Sequence, residues 1–341
     1  MSSATGVKSL LQAVAAGQRF SPEAMVAAID TLTAEGTPAQ MAAFLMGLRV
    51  RGETVDEITG AARAMRARMT TVSVPPDAID IVGTGGDGHG TFNVSTGAAI
   101  VAAGAGLKVA KHGNRSVSSL SGASDVLAAL GVKLDCGPAL IARAVEEAGV
   151  GFLWAPAHHP AFKAWGPART ELGVRTLFNL LGPLCNPAGV RHHVLGVFAH
   201  EWVQPIAEVL RALGSKRAWV VHGHDGLDEL STTGPTTVAA LDDGKITTFE
   251  VTPEEAGLQR VSLAELKGGD GAHNAQALKD LLAGAPGPYR DIVLLNTAAA
   301  LIVGARASSL AEGVGLAEEA IGSGRAAAAL DKLVAISQQA A

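Results

Sequence analysis

The segment Asp80–Thr96, DIVGTGGDGHGTFNVST, places Gly83, Gly85 and Gly88 at the spacing of a dinucleotide-binding fingerprint. Backbone N–H groups around such glycines converge on phosphate oxygens without side-chain obstruction. Asn93, Val94, Ser95 and Thr96 open the helical run that follows, where the positive end of the helix dipole favours an anion. A dinucleotide site also needs an acidic residue about 20 positions on, at the end of the second strand, for the ribose hydroxyls. That strand ends instead in Lys111-His112-Gly113-Asn114-Arg115. The Walker pattern lacks its Lys-Ser or Lys-Thr. A phosphate site of another kind remains, with Lys111 adding full positive charge from the neighbouring strand. A plain strand-to-helix turn accounts for Gly83, but not for Asp87 and the polar residues beside it.

A second cluster, His222-Gly223-His224-Asp225-Gly226-Leu227-Asp228-Glu229, follows the apolar run RAWVV. Adjacent carboxylates in a loop are hard oxygen ligands, suited to a Mg2+ ion that keeps waters and bridges phosphates. Taken alone, they read better as first-turn acids of a helix. Beside a phosphate loop from another strand, the metal reading is preferable. A third region holds Trp154, His158, His159 and Pro160, then Arg169 and Arg175. Adjacent histidines on a helix make a poor zinc site. Arginine suits bidentate recognition of a carboxylate, yet a lone helix arginine is more often a surface ion pair.

The elements that must carry these residues fall into two groups. Residues 1–74 show helix signals only: Ser21-Pro22, and the capping boxes Thr37-Pro38-Ala39-Gln40 and Thr54-Val55-Asp56-Glu57. One face after Thr37 carries Met41, Phe44, Leu45 and Leu48; one after Thr54 carries Ile58, Ala62, Met65 and Met69. Three or four short helices therefore form a small unit that ends at Val74-Pro75-Pro76. Strand candidates at 78–82, 107–113, 149–156 and 217–223 then alternate with helical runs, which implies a mostly parallel sheet with its functional loops at the C-terminal strand ends. A helical interruption at about 164–188 is expected to cross back onto the N-terminal helices. This gives a helical domain (1–74 plus the crossover) and an α/β domain (75–163 and 189–341).

The 341 residues are 48% hydrophobic and 17% charged, enough for a large core and against disorder. A net charge of −5 argues against nucleic-acid binding by bulk electrostatics. The first residues lack a signal peptide's basic start, and the longest uncharged run, 89–107, is too polar for a membrane span. Cys136 and Cys185 have no metal-ligand spacing, so a cytoplasmic protein with reduced thiols is expected.

Together GTGGDGHGTFNVST (83–96), KHGNRSVSS (111–119), SDVLAALGV (124–132), APAHHPA (155–161), RTELGVRTLFNLLGPLCNPAG (169–189) and DGLDE (225–229) resemble the anthranilate phosphoribosyltransferases, in order over nearly the whole chain. The resemblance implies transfer of the phosphoribosyl group of phosphoribosyl pyrophosphate (PRPP) to anthranilate, in tryptophan synthesis. It also implies a small helical and a larger α/β domain, Mg2+, and a homodimer formed through the helical domain. Gly83, Gly86, Asp87, Thr91, Asn93, Val94, Ser95, Thr96, Lys111, Ser118, Ser119 and Ala123 would hold PRPP. Ser95, Asp228 and Glu229 would hold the metal. Gly83, His112, Asn114, His159, Arg169 and Pro183 would line the anthranilate path, with Lys111 stabilising charge and His112 accepting the amine proton. Leu120 departs from the Lys that many relatives carry in an SSKSG run, and Phe162 stands at a variable pocket edge. A pyrimidine nucleoside phosphorylase of the same fold would need a Lys-Ser-Arg constellation that is not found here. A nucleic-acid-binding paralogue should be basic and should have lost the acids or the NVST run.

Overall fold

The computed structural model describes residues 6–115 and 120–339. Four N-terminal helices form, Val7–Ala15, Pro22–Glu35, Pro38–Arg51 and Val55–Arg66, and the last three start where the capping signals put them. Ser21 accepts from Ala24 N, and Thr37–Gln40 and Thr54–Glu57 both close reciprocal capping boxes. Glu57 does more than cap. Its buried carboxylate also accepts from Phe20 N at 2.9 Å and pairs with Arg51 at 2.6 Å, so two helices and the loop before a third meet on one charge. Met41, Phe44, Leu45, Leu48, Ile58, Ala62 and Met65 are buried as expected, whereas Met69 lies beyond the end of its helix and is only half-buried.

Seven strands form one sheet: β1 (Ile79–Gly83), β2 (Val109–Gly113), β3 (Val150–Trp154), β4 (His192–Gly196), β5 (Arg217–Gly223), β6 (Thr236–Asp242) and β7 (Lys245–Val251). Their order is β3-β2-β1-β4-β5-β6-β7, parallel through β5 and antiparallel at β6 and β7. Strands β4, β6 and β7 add to the sequence reading. The β6–β7 turn uses Asp243 and Gly244, both at positive φ, the geometry that lets a two-residue loop follow the strand twist. Because β1 leads by crossovers to β2 on one side and the chain later returns to β4 on the other, the order reverses between β1 and β4. Their C-terminal ends therefore splay loops to opposite sides and leave a crevice.

One sheet face, with Ile79, Ile81, Val109, Val150, Val194 and Val238, packs on the C-terminal helices and the helix Val94–Gly104. The other face, with Val82, Leu195, Val197, Val220 and Leu241, shares a second core with the N-terminal helices. The crossover joins that core. It begins four residues earlier than the sequence reading put it, because Pro160 opens the helix Pro160–Leu172 at its first turn; Phe178–Leu184 follows. The first of these helices packs on Pro22–Glu35 and Pro38–Arg51, the second on Val55–Arg66. Trp165 anchors it: fully buried, it packs at a tilt against Phe178 with centroids 4.8 Å apart and donates Nε1–H to Thr33 Oγ1 at 3.0 Å. Trp165→Ala is expected to cost about 3–5 kcal/mol in denaturant unfolding, the range for a buried aromatic truncated in a close-packed core. A loss under about 1 kcal/mol, small for a buried Trp, would show that the crossover is held elsewhere.

Candidate active site

At the crevice, Gly83 of β1 and Gly196 of β4 stand opposite each other in register. Neither has a positive φ, so close approach is what demands glycine there. The loop after β5 lays Asp228 across both strand ends. A Cβ on Gly83 would collide with the Asp228 carboxylate, and one on Gly196 with its main-chain carbonyl. Gly85 N then donates to Asp228 Oδ2 at 2.7 Å, tying the glycine loop to the acidic one. No helix starts at Asp228, so the first-turn reading of the acid pair does not hold. Asp225 shapes the loop, accepting from Ser231 Oγ at 2.7 Å and Thr233 Oγ1 at 2.6 Å.

Glu229 reaches the other wall, where its Oε1 accepts from Ser95 N at 3.3 Å, at the start of the helix Val94–Gly104. The buried Lys111 ammonium donates to Ile81 O at 2.8 Å and Ser95 Oγ at 3.3 Å. Burial pulls its pKa down, while the charges of Asp80, Glu229 and Asp228 pull it up. Burial raises both acids above the ordinary carboxylate range, Asp228 further through Asp87, and Glu229 further through Asp228. One lysine cannot neutralise three neighbouring carboxylates, and this deficit fits a divalent cation. Among the described residues no three ligating side chains converge on one point. A cation held by Asp228, Glu229 and Ser95 would therefore complete its shell with water and ligand oxygens, as Mg2+ does.

The rest of the glycine-loop wall is braced from behind. Val94 and Thr96 are buried, and Asn93 makes no side-chain cap. Instead Asn93 Nδ2 donates to Ser121 O at 3.3 Å, and its Oδ1 accepts from Asn274 Nδ2 at 2.8 Å. Thr91 bridges to Lys267, and Phe92 N donates to Leu266 O. Arg175 donates to Gly86 O while its guanidinium lies over the Phe198 ring at 4.4 Å. Asp87 turns back to accept from His89 N at 3.1 Å. Ala123 backs Gly113, Asn114 is exposed, and Ser118 and Ser119 lie outside the described residues.

On the side away from the acids, His112 and His159 bring their Nε2 atoms to 3.1 Å, so one ring donates and the other accepts. Burial, then the neighbouring histidines and Lys111, hold His112 well below its usual pKa; burial and His158 bring His159 to about 4. Both rings are neutral at physiological pH. An aromatic chain runs from His159 to Phe162 to Phe178, whose ring carries the Arg169 guanidinium at 5.3 Å. Arg169 is half-buried with no ion pair among the described residues, and burial lowers its pKa. Pro183 is buried in the second crossover helix.

Gly196, Asp80, Asn186 and Asn274 were not legible in the sequence. Asp80 is fully buried, accepts from His112 N at 3.0 Å and Asn186 Nδ2 at 2.7 Å, and is raised to about 6 by burial against the opposing charge of Lys111. Its only sequence signal is a charge inside an apolar strand.

Residues 75–327 match the glycosyl transferase family, a/b domain, and residues 8–69 the glycosyl transferase family, helical bundle domain. The chain is 60% identical to the anthranilate phosphoribosyltransferase of Rhodopseudomonas palustris (strain BisA53) over 334 residues, 98% of either chain. It is similar to the crystal structure of anthranilate phosphoribosyltransferase from Thermus thermophilus, with TM-score 0.92, 45% identity and coverage of 97% and 99%. It is also similar to the Saccharomyces cerevisiae enzyme in complex with PRPP and Mg, with TM-score 0.89, 32% identity and 97% of each chain covered.

Two outcomes follow from this geometry. Gly196→Ala should displace Asp228 and weaken calorimetric binding of magnesium pyrophosphate by about tenfold or more, since about an ångström of misplacement is worth up to two orders of magnitude. Binding within about twofold of wild type, far below that penalty, would refute the close-approach argument. The acids also predict a pH trend. Their raised folded-state pKa values favour the fold while they are protonated, and this advantage is lost as pH rises through those values. A cation needs them ionised, so the melting-temperature gain from Mg2+ should grow from acid to mildly alkaline pH. A gain independent of pH would place the cation elsewhere.

Proposed function

The chain belongs to the anthranilate phosphoribosyltransferase family, and from that premise we propose that it transfers the phosphoribosyl group of PRPP to the amine of anthranilate, releasing pyrophosphate, in tryptophan synthesis. The observation that carries this reading is the meeting of two unlike surfaces at one crevice. One is a glycine- and amide-rich wall with Lys111 and paired acids; the other is an aromatic path ending in an arginine that has no ion pair among the described residues.

In the reaction the amine nitrogen attacks the anomeric carbon, the bond from that carbon to the pyrophosphate oxygen breaks, and the nitrogen sheds a proton. An amine is already a nucleophile, so the barrier lies in pyrophosphate departure and in positive charge growing on the ribose. Gly83, Gly86, Asp87, Thr91, the run Asn93–Thr96, Ser118, Ser119 and Ala123 would cradle PRPP, and Lys111 would place fixed charge where the leaving oxygens become anionic. Mg2+ held by Ser95, Asp228 and Glu229 would add Lewis-acid stabilisation of the leaving group. Asp228 and Glu229 would also keep the ribose in a negative field as it loses its leaving group. Arg169 would take the anthranilate carboxylate, its guanidinium held flat by Phe178. Pro183, Asn114 and the His112–His159 pair would shape the path. A neutral His112 is the form able to accept the amine proton, and its low basicity lets it pass that proton on. Holding both substrates in line supplies on the order of 7–11 kcal/mol when the geometry is good.

The same reading divides the chain into a helical domain, residues 1–74 with the crossover, and an α/β domain. It makes the enzyme a cytoplasmic homodimer through the helical domain. Met46 and Val50, exposed apolar residues on the helix Pro38–Arg51, support that surface. No helix among the described residues is long and apolar enough to cross a membrane.

The test is the loss of anthranilate fluorescence on mixing the protein with PRPP and Mg2+. PRPP-dependent loss abolished by EDTA is expected; PRPP binding without any loss would mean a different acceptor. Arg169→Ala should raise the anthranilate KM by about tenfold or more, the scale of a lost charge-assisted pair, and leave the PRPP KM nearly unchanged. Equal effects on both would remove Arg169 from the carboxylate.

A further inference from the structure

The helix Pro288–Val303 lies beneath both halves of the site and touches each with one face. Tyr289, Val293 and Asn296 are spaced i, i+4 and i+7, which puts them on a single stripe. The Tyr289 hydroxyl donates to Asn93 O at 3.2 Å, the carbonyl that also accepts from Gly97 N in the first turn of the helix Val94–Gly104. The Tyr289 ring stacks on Phe92 with centroids 4.5 Å apart. One turn on, Val293 sits so close to Gly97 that a Cβ there would come within 2.8 Å of Val293 Cγ2. Farther along, the fully buried Asn296 binds the Leu230 main chain in both directions. Its Oδ1 accepts from Leu230 N at 3.0 Å, and its Nδ2 donates to Leu230 O at 2.8 Å. Leu230 directly follows Glu229, and Glu229 accepts from Ser95 N. The contacts thus close a ring: Ser95, Glu229, Leu230, Asn296, Tyr289, Asn93 and back to Ser95.

We propose that this helix is a ruler, with Tyr289 and Asn296 as positioning residues that fix the spacing between the phosphate-binding turn and the Asp228–Glu229 acids. The inference rests on the PRPP and Mg2+ reading of that crevice. Seven residues of helix span about 10 Å, and a packed helix changes length far less readily than a loop does. Magnesium pyrophosphate has to meet amides from one wall and carboxylates from the other at once. A fixed span holds both ready before the ligand arrives, so little of the binding energy goes into ordering loops. Val293 against Gly97 presses the phosphate helix onto the ruler between its two hydrogen-bonded ends.

Asn296→Ala strands the buried Leu230 N–H and C=O and frees the acidic loop; Tyr289→Phe keeps the stacked ring and removes only the bond to Asn93 O. Both are compared with wild type by calorimetric titration of PRPP at fixed Mg2+, by the Mg2+ concentration giving half-maximal PRPP binding, and by KM for each substrate. Asn296→Ala is expected to weaken PRPP about tenfold or more and to raise the Mg2+ requirement, and Tyr289→Phe to weaken PRPP about three- to tenfold, on the scale of lost positioning and of one lost hydrogen bond. Anthranilate KM should stay within about twofold, since neither bond touches its path. PRPP affinity unchanged in the folded variants, or both KM values moved alike, would overturn the ruler. Should Asn296→Ala fail to fold, Tyr289→Phe decides by the same criteria. Wild-type protein that binds no PRPP would sink the transferase reading and the ruler together, whereas wild-type binding with unaltered variants sinks the ruler alone.

Discussion

Asp228 rests in a slot that exists only because the residues at the ends of β1 and β4 have no side chains, Gly83 making room for its carboxylate and Gly196 for its main chain. That contact constrains the site in three directions. It sets the depth to which the acidic loop can sink into the sheet. It brings the carboxylate within reach of Gly85 N, so that the glycine loop is shaped from the far side of the crevice as well as by its own sequence. It also leaves Glu229 to extend across to Ser95 N, which makes the acid pair a bridge between two crossover loops. The reversal of strand order opens the crevice, and the glycine pair decides what fills it.

The charge balance follows from the same arrangement. Asp80, Glu229 and Asp228 all act on a single buried lysine, Asp87 adds to the negative charge felt by Asp228 and Glu229, and burial disfavours the ionised form of each perturbed acid. Such a cluster is poorly compensated in a protein interior. The bracing network is the structural counterpart: Asn296 on Leu230, Asn274 on Asn93, Asn186 on Asp80, each a buried amide on a group that its own element leaves free. These amides hold unfavourable groups where loops alone would let them part. Rigidity here keeps a poorly compensated charge cluster in one place.

What the sequence disclosed, and what it concealed, divides along these lines. The glycine loop, Lys111 and the Asp228–Glu229 pair were legible as a group because small, polar and charged residues crowd short strand-end segments, and the structure brings them to one crevice. The N-terminal helices were legible from their caps and their period. The hairpin of β6 and β7 carries a readable sign, Asp243-Gly244 between alternating residues, which a search for parallel units passes over. Strand β4, HHVLG, opens on two histidines and is too short for a period to show. Gly196 and the bracing asparagines were hidden for a different reason. Their roles come from partners distant in sequence, and no local pattern marks a glycine needed for approach or an amide that meets a foreign carbonyl. Arg169 is intermediate: its type suggested a carboxylate, but only the structure shows it stacked on Phe178 without an ion pair among the described residues.

The crossover makes a two-substrate enzyme from a phosphate-binding sheet. A doubly wound sheet supplies amides and a helix terminus suited to an anion, and acids suited to a cation, at its switch point, and none of these suits an aromatic ring. The aromatic side chains come from the segment that leaves β3, packs into the second core through Trp165, and returns to β4. Its last turn is fastened to the sheet by Asn186, which donates to both Asp80 and Ala110 O, while Asp80 holds the main chain of His112. The same buried carboxylate therefore fixes the crossover's exit and the strand that carries Lys111 and His112. Through Asp80 and Asn186 the crossover is thus tied to the strand whose end faces the crevice.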